Sequence, residues 1–234
     1  GPQSLVMEIA SNDGYLLQYV RERGIPCVGI EPTTSTAKVA RSKGIESIES
    51  FFGLDFAQRF ASERRKADLV LGNNVLAHVP DINDFVAGLK AVLAPQGSIT
   101  LEFPHLLQLV SQGQFDTIYH EHFSYLSLGT VQGILAKQGL RVWDVQELPT
   151  HGGSLRVWAQ HAEHERPVQA SVAVCLSKEA RAGMQGDAFY AGLQVQANRI
   201  KDDLLAFLIE QKREGKTVVA YGAAAKGNTL LNYA

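Results

Sequence analysis

The run Tyr119-His120-Glu121-His122 sets a phenol, two imidazoles and a carboxylate on four consecutive positions, with Phe115, Ile118 and Phe123 around them. All four groups handle protons, and the apolar neighbours predict a site partly shielded from water, where acidities are tuned toward neutral pH. His-x-His spacing can also offer two ligands to zinc or iron, or simply mark a polar loop. The run by itself leaves catalytic, metal-binding and structural readings open.

A second group of candidates follows the apolar run that begins at Leu5. Glu8, Ala10, Asn12, Gly14 and Tyr15 belong to a turn of small and polar residues that lets a ligand approach the backbone before the first helix. Glu31 closes the next apolar run, where an acid can accept hydrogen bonds from both ribose hydroxyls of an adenosine. A dinucleotide would be expected to meet Gly-x-Gly-x-x-Gly, because its pyrophosphate needs repeated close backbone approach at a helix N-terminus. Only Gly14 is present, and Glu8 and Asp13 oppose a pyrophosphate. The loop suits the cationic sulfonium and amino-acid end of S-adenosylmethionine better. Asn73, Asn74 and His78 follow a further apolar run and are expected to face cofactor or substrate, with a plain turn as the alternative for the two asparagines.

The elements that must carry these residues read as repeated strand-helix units. Strands are predicted at 5–10, 27–31, 47–49, 67–72 and 98–103, with helices at 15–23, 34–43, 55–62 and 82–93 between them. Asp81 is placed to cap the last of these. After the histidine run come a helix at 126–138 and two strands, 141–147 and 154–160, around a Pro149 to Gly153 turn. That pair predicts a hairpin and one antiparallel strand in an otherwise parallel α/β sheet, the Rossmann-like arrangement of class I methyltransferases rather than the all-parallel dinucleotide sheet. Helices are predicted at 168–181 and 189–213, then a buried strand at 216–221 and a helix opening near Lys226. The expected organisation is a cofactor-binding domain over 1–163, a helical connector over 164–215 and the start of a second α/β unit over 216–234.

Composition narrows the function classes. With 234 residues, 45% hydrophobic and a net charge of −2, the chain has no basic field for nucleic acid and no apolar run long enough to span a membrane. A cytoplasmic location is expected. Cys27 and Cys175 are far apart and belong to no Cys-x-x-Cys pair, which disfavours a thiolate zinc site or a disulfide framework. Gly1-Pro2 reads as a protease-cleavage scar, and the apolar stretch 229–234 as an interrupted helix, so a fragment of a larger protein is expected.

Five motifs in order, residues 8–17, 72–79, 116–122, 151–156 and 221–229, resemble the sugar C-methyltransferase family, which includes the enzymes that build the branched deoxysugars of antibiotics. The resemblance implies S-adenosylmethionine as methyl donor and a nucleotide-linked, usually dTDP-linked, 4-keto-6-deoxyhexose methylated at C3. It implies His122 as the base, with Tyr119, Glu121 and His78 at further active-site positions. It also implies flanking domains outside this chain: a Cys-rich zinc-binding domain upstream and a complete C-terminal α/β domain. Lys226, after a Gly-Ala-rich turn at a helix start, is a candidate pyrophosphate contact, and His120 and Asn228 join it as substrate-binding candidates. Methyl transfer to an enolate needs no metal, so none is expected at His120 and His122. Two other classes remain open on the residues alone: a methyltransferase of the same fold acting on oxygen or nitrogen, and a non-catalytic nucleotide- or cofactor-binding module.

Overall fold

The computed structural model describes residues 1–164, 166–222 and 225–234. Seven strands form one sheet in the order β3-β2-β1-β4-β5-β7-β6: β1 Val6–Ile9, β2 Cys27–Ile30, β3 Glu46–Ile48, β4 Ala67–Asn73, β5 Leu93–Pro104, β6 Leu140–Leu148 and β7 Ser154–His161. β1 to β5 pair in parallel, while β7 lies antiparallel between β5 and β6. The predicted hairpin therefore forms, and its second strand inserts beside β5. Chain order reverses between β1 and β4, so the crevice where such sheets bind ligands opens at the carboxyl ends of those two strands.

Helices α1 Leu17–Glu22, α2 Thr34–Ser42, α3 Leu54–Glu63 and α4 Ile82–Val92 alternate with the strands. α5 Leu106–Ser111, a short helix absent from the sequence-based reading, follows β5; α6 Leu128–Lys137 precedes β6. The main core is built from the strand faces, with Met7, Ile9, Ile99, Leu101 and Phe103 fully or nearly fully buried. The Asp81 carboxylate caps α4 by accepting from the backbone N–H groups of Asn83 and Asp84, both at 3.0 Å. Gly14 has φ +74°, and a Cβ there would come within 2.5 Å of Ile45 Cδ1, so the turn after β1 requires glycine on both counts.

α7 Ala170–Ala182 sends Val172 and Cys175 into the same core, which ties the expected connector to the sheet. α8 Leu193–Arg213 and α9 Ala225–Tyr233 complete the described elements, and no described helix is long and apolar enough to cross a membrane. The strand expected at 216–221 does not form: the segment has no regular structure, and Val219 is 87% exposed. A strand exists only through a ladder, and among the described residues none runs beside it.

Candidate active site

The loop after β1 is held in a conformation that costs energy. Ala10 and Asn12 have φ of +56° and +51°, the left-handed region that non-glycine residues rarely adopt. Glu31, buried at the end of β2, fastens this loop by accepting from Asn12 N–H at 3.1 Å and Thr33 N–H at 2.9 Å. Each carboxylate oxygen keeps a further lone pair.

Glu8, inside β1, is fully buried, and its Oε2 has no hydrogen-bond partner. Burial pushes its carboxyl up to about 8. Tyr15 lies close by: burial and the carboxylates of Glu8 and Glu102 raise its hydroxyl, and a hydrogen bond with Asn73 acts the other way. Glu8 gives a pH signature. The unfolded chain loses the Glu8 proton near 4.5 while the folded chain holds it to about 8, so the fold loses stability as pH rises across that interval and loses no more above it. Glu8→Gln should remove this slope, so that its melting temperature climbs relative to the parent between about pH 5 and pH 8. Identical slopes in thermal unfolding would show Glu8 already ionised in the fold.

A cavity of about 400 Å³ adjoins this loop, walled by Pro32, Phe51, Phe52, Val75 and Val79, with His78 also in its lining. Its apolar walls and flat rings suit a planar heterocycle. None of these wall residues was singled out from sequence; the Phe51-Phe52 pair after β3 was the available signal.

The end of β4 carries Asn73 and Asn74. Asn74 has φ +52°, its amide nitrogen lies 3.2 Å from His151 Nε2, and its Oδ1 is buried without a partner. The one-turn 3-10 helix Leu76–His78 follows. Ala77 O accepts from Phe123 N–H at 2.8 Å and Ser124 N–H at 3.2 Å, which docks the histidine run against this turn. Three of the residues expected at the site, two from the run and one from the turn, thereby come together. The His78 and His122 rings pack edge to face at 4.7 Å between centroids, and Tyr119 and His122 lie 4.3 Å apart.

His122 Nδ1 is 2.8 Å from Thr117 O, and since a carbonyl only accepts, Nδ1 carries the proton. Nε2 is then the basic nitrogen, and the Tyr119 hydroxyl donates to it across 3.2 Å. Burial and the neighbouring His122 lower His78, which favours its neutral form; burial together with Glu121 and Asp116 raises Tyr119, which keeps its proton. A base, a phenol donor and a neutral imidazole donor thus share one small region, a set suited to removing a proton from carbon and steadying the resulting oxyanion.

Glu121 is exposed and acts on this group by charge, while His120 points to an outer cleft with Tyr119 and residues of α8 and α9. His120 and His122 do not converge. Lys226 and Asn228 lie on α9 but outside that cleft's lining, where Thr229, Asn232 and Tyr233 stand instead.

Two buried polar groups escaped the sequence reading. Glu102 accepts from Thr150 Oγ1 at 3.0 Å and from Arg156 Nη2 at 2.7 Å, fixing the hairpin to the end of β5. Glu179 on α7 receives His105 Nε2 at 2.8 Å, Leu128 N–H at 2.6 Å and Gly129 N–H at 3.0 Å. Cys175 comes close enough to complete a metal-like trio with His105 and Glu179. Its thiol is pushed up to about 12 by burial, and the Glu179 oxygens are already engaged, so the trio is a structural hub.

Comparison with known proteins agrees with this architecture. A family model described as a methyltransferase domain matches residues 2–145, and one described as a C-methyltransferase C-terminal domain matches residues 149–234. The C-methyltransferase NovU of Streptomyces niveus is 37% identical over 97% of this chain, which spans 54% of NovU's own length. Among solved structures, the PH0226 protein of Pyrococcus horikoshii is similar with a TM-score of 0.55 at 15% identity, over 68% of this chain and 82% of that one. The magnesium protoporphyrin IX methyltransferase of Synechocystis, solved with S-adenosylhomocysteine, gives a TM-score of 0.52 at 15% identity, over 67% and 73%. These likenesses show the class I S-adenosylmethionine-dependent methyltransferase fold. The first family model runs from β1 into β6 and takes in every loop of the site except the hairpin turn, so the chain belongs to the methyltransferase domain family.

Proposed function

We propose that this chain is the donor-binding and catalytic part of an S-adenosylmethionine-dependent C-methyltransferase whose acceptor is a nucleotide-linked 4-keto-6-deoxysugar, methylated at C3 in the making of a branched deoxysugar. The observation that carries the reading is His122: its Nδ1–H is spent on a backbone carbonyl, and its Nε2 is the unprotonated nitrogen, accepting from the Tyr119 hydroxyl with the His78 ring packed beside it. The match of residues 149–234 to a C-methyltransferase domain and the likeness to NovU support carbon as the methylated atom.

The residues present fit the cofactor. Glu8 is a buried carboxyl with an unpaired oxygen, and a cationic group brought beside it would draw it back to the ionised form. Glu31 has lone pairs left for two ribose hydroxyls, the apolar cavity takes the adenine, and Asn12, Tyr15, Asn73 and Asn74 border the amino-acid end. S-adenosylmethionine supplies an electrophilic methyl group when bound.

At the acceptor, His122 Nε2 removes the proton from C3, which is acidified by the neighbouring C4 ketone. Tyr119 turns its hydroxyl from His122 to the sugar, and neutral His78 donates to the enolate oxygen at O4. As the C3–methyl bond forms, the sulfur–methyl bond breaks and the C3 proton stays on His122, to pass later to water. Glu121 orients the sugar through its hydroxyls, and Lys226 and Asn228 reach the diphosphate from α9.

Proton removal separates this reaction from methylation of oxygen. The intact enzyme in deuterium oxide, given a dTDP-4-keto-6-deoxyhexose and S-adenosylhomocysteine, should place deuterium at C3 without turnover. A methyl ether product with no exchange at C3 would overturn the proposal.

A further inference from the structure

His151, at the tip of the β6–β7 hairpin, has no part in the proton chemistry at His122. Its backbone has φ +54° and ψ +27°, and the two glycines after it follow at φ +81° and +117°. Asn74, 77 residues away in sequence, is held at φ +52°. Two non-glycine residues in the left-handed region, on separate elements, therefore meet through their side chains, with Asn74 Nδ2 at 3.2 Å from His151 Nε2. Such conformations persist only where the surroundings over-determine them, and they gather at ligand sites.

The surroundings that hold this pair are explicit. Glu102, at the end of β5, serves both partners: its backbone oxygen accepts from Asn74 N–H at 2.8 Å, and its carboxylate accepts from Thr150 Oγ1 at 3.0 Å. Ser154 Oγ donates to Thr150 O at 3.0 Å, Gln114 Nε2 to Gly152 O at 2.8 Å, and His105 N–H to Gly153 O at 3.0 Å. A braced hairpin tip thus carries the imidazole to Asn74. An amide nitrogen only donates, so His151 Nε2 accepts, and the Asn74 amide is fixed in one of its two orientations. Its other end, Oδ1, is buried without a partner among the described residues. A buried acceptor left open costs stability, and a ligand that donates to it removes that cost.

The neighbours of Asn74 identify the ligand. Asn73 before it hydrogen-bonds Tyr15 of the loop after β1, and Val75 after it walls the apolar cavity, so Asn74 stands between two residues of the methyl-donor site. In the amino-acid half of S-adenosylmethionine the sulfonium sulfur and the carboxylate bear no proton to donate; the ammonium does. We infer that Asn74 Oδ1 accepts a hydrogen bond from the ammonium of the methyl donor, and that His151 is a positioning residue, holding the Asn74 amide for that contact without touching either reactant. The inference rests on the reading that the amino-acid end of the donor lies at Asn74, and adds the atom that receives its ammonium and the residue that aims it.

Calorimetry on the intact enzyme with S-adenosylhomocysteine and with its deaminated analogue, 5′-S-(3-carboxypropyl)-5′-thioadenosine, tests the pair. Asn74→Ala should weaken S-adenosylhomocysteine by roughly ten-fold or more, the share of a hydrogen bond to a charged group, and leave the affinity of the analogue unchanged. His151→Gly should weaken S-adenosylhomocysteine by a smaller factor, again sparing the analogue, because the released amide can turn over. Glycine takes φ +54° without strain and His151 is exposed, so the melting temperature of this variant should hold or rise while donor affinity falls. A purely structural histidine would lower both. The double variant should bind no more weakly than Asn74→Ala alone, since the imidazole acts through the amide. Equal losses for the two ligands, losses that add in the double variant, or full S-adenosylhomocysteine affinity in Asn74→Ala with a raised KM for the acceptor would each overturn the assignment. Failure of the parent to bind S-adenosylhomocysteine would sink the donor site and this contact together, whereas absent exchange at C3 would sink the acceptor chemistry alone.

Discussion

His122→Ala in the intact enzyme should lower turnover by roughly 10² to 10⁴ while S-adenosylhomocysteine affinity stays near that of the parent, because the role proposed for His122 is that of a general base and its ring does not border the Phe51 cavity. The geometry sharpens the expectation. The Thr117 carbonyl holds Nδ1, so the side chain cannot present its other nitrogen, and Asn or Gln at this position should restore little activity. His120→Ala should reduce kcat far less, since its ring faces the outer cleft. Steady-state rates and deuterium exchange at C3 should fall together in His122→Ala. Equal and small losses from both histidine variants would return the run to a structural role.

Glu179→Ala should cost about 3–5 kcal/mol of stability, the range for breaking a buried ionic or strongly hydrogen-bonded group by removing one partner. Three donors lose their acceptor at once: the His105 ring and the N–H groups of Leu128 and Gly129. Burial alone would raise the Glu179 carboxyl, but the His105 hydrogen bond and the two backbone donors outweigh it and hold the group below its ordinary value. A carboxyl depressed by folding contributes stability above its unfolded pKa and loses it as pH falls through the lower folded value. The penalty of Glu179→Ala should accordingly be full near neutrality and shrink in acid. Denaturant unfolding at several pH values measures it, and a loss under about 1 kcal/mol at neutral pH would mark the group as solvated.

Much of this molecule is legible one segment at a time. Strand runs such as 27–31 and 67–72 and the helix behind Asp81 are set by periodicity and capping, which depend on neighbours in sequence, and the structure places them within a residue or two. The union of His78 with His122 was legible for a different reason: both follow strands of a parallel sheet, and such loops share one edge. The Glu179 hub was not, because an acid on α7 shows its purpose only when α7 lies across the starts of α5 and α6. Position 216–221 fails in the opposite sense. Its residues, Lys216 through Tyr221, have strand character, but pairing is a property of two segments.

The placement of β7 governs the order in which this protein can be made. Among the described residues β6 pairs with β7 alone, and β5 has only β7 on that side, so a nascent chain that has emerged through Gly153 carries β5 and β6 without the strand that joins them. Arrival of Ser154–His161 closes both ladders in one event. The same event brings Gly153 O to His105 N–H and Arg156 to Glu102, which pins the end of β5 from which the histidine run departs. The far edge of the sheet and the anchoring of the β5 end thus wait on a late and distant segment, while the contacts that join His78 to His122 lie wholly within residues 77–124.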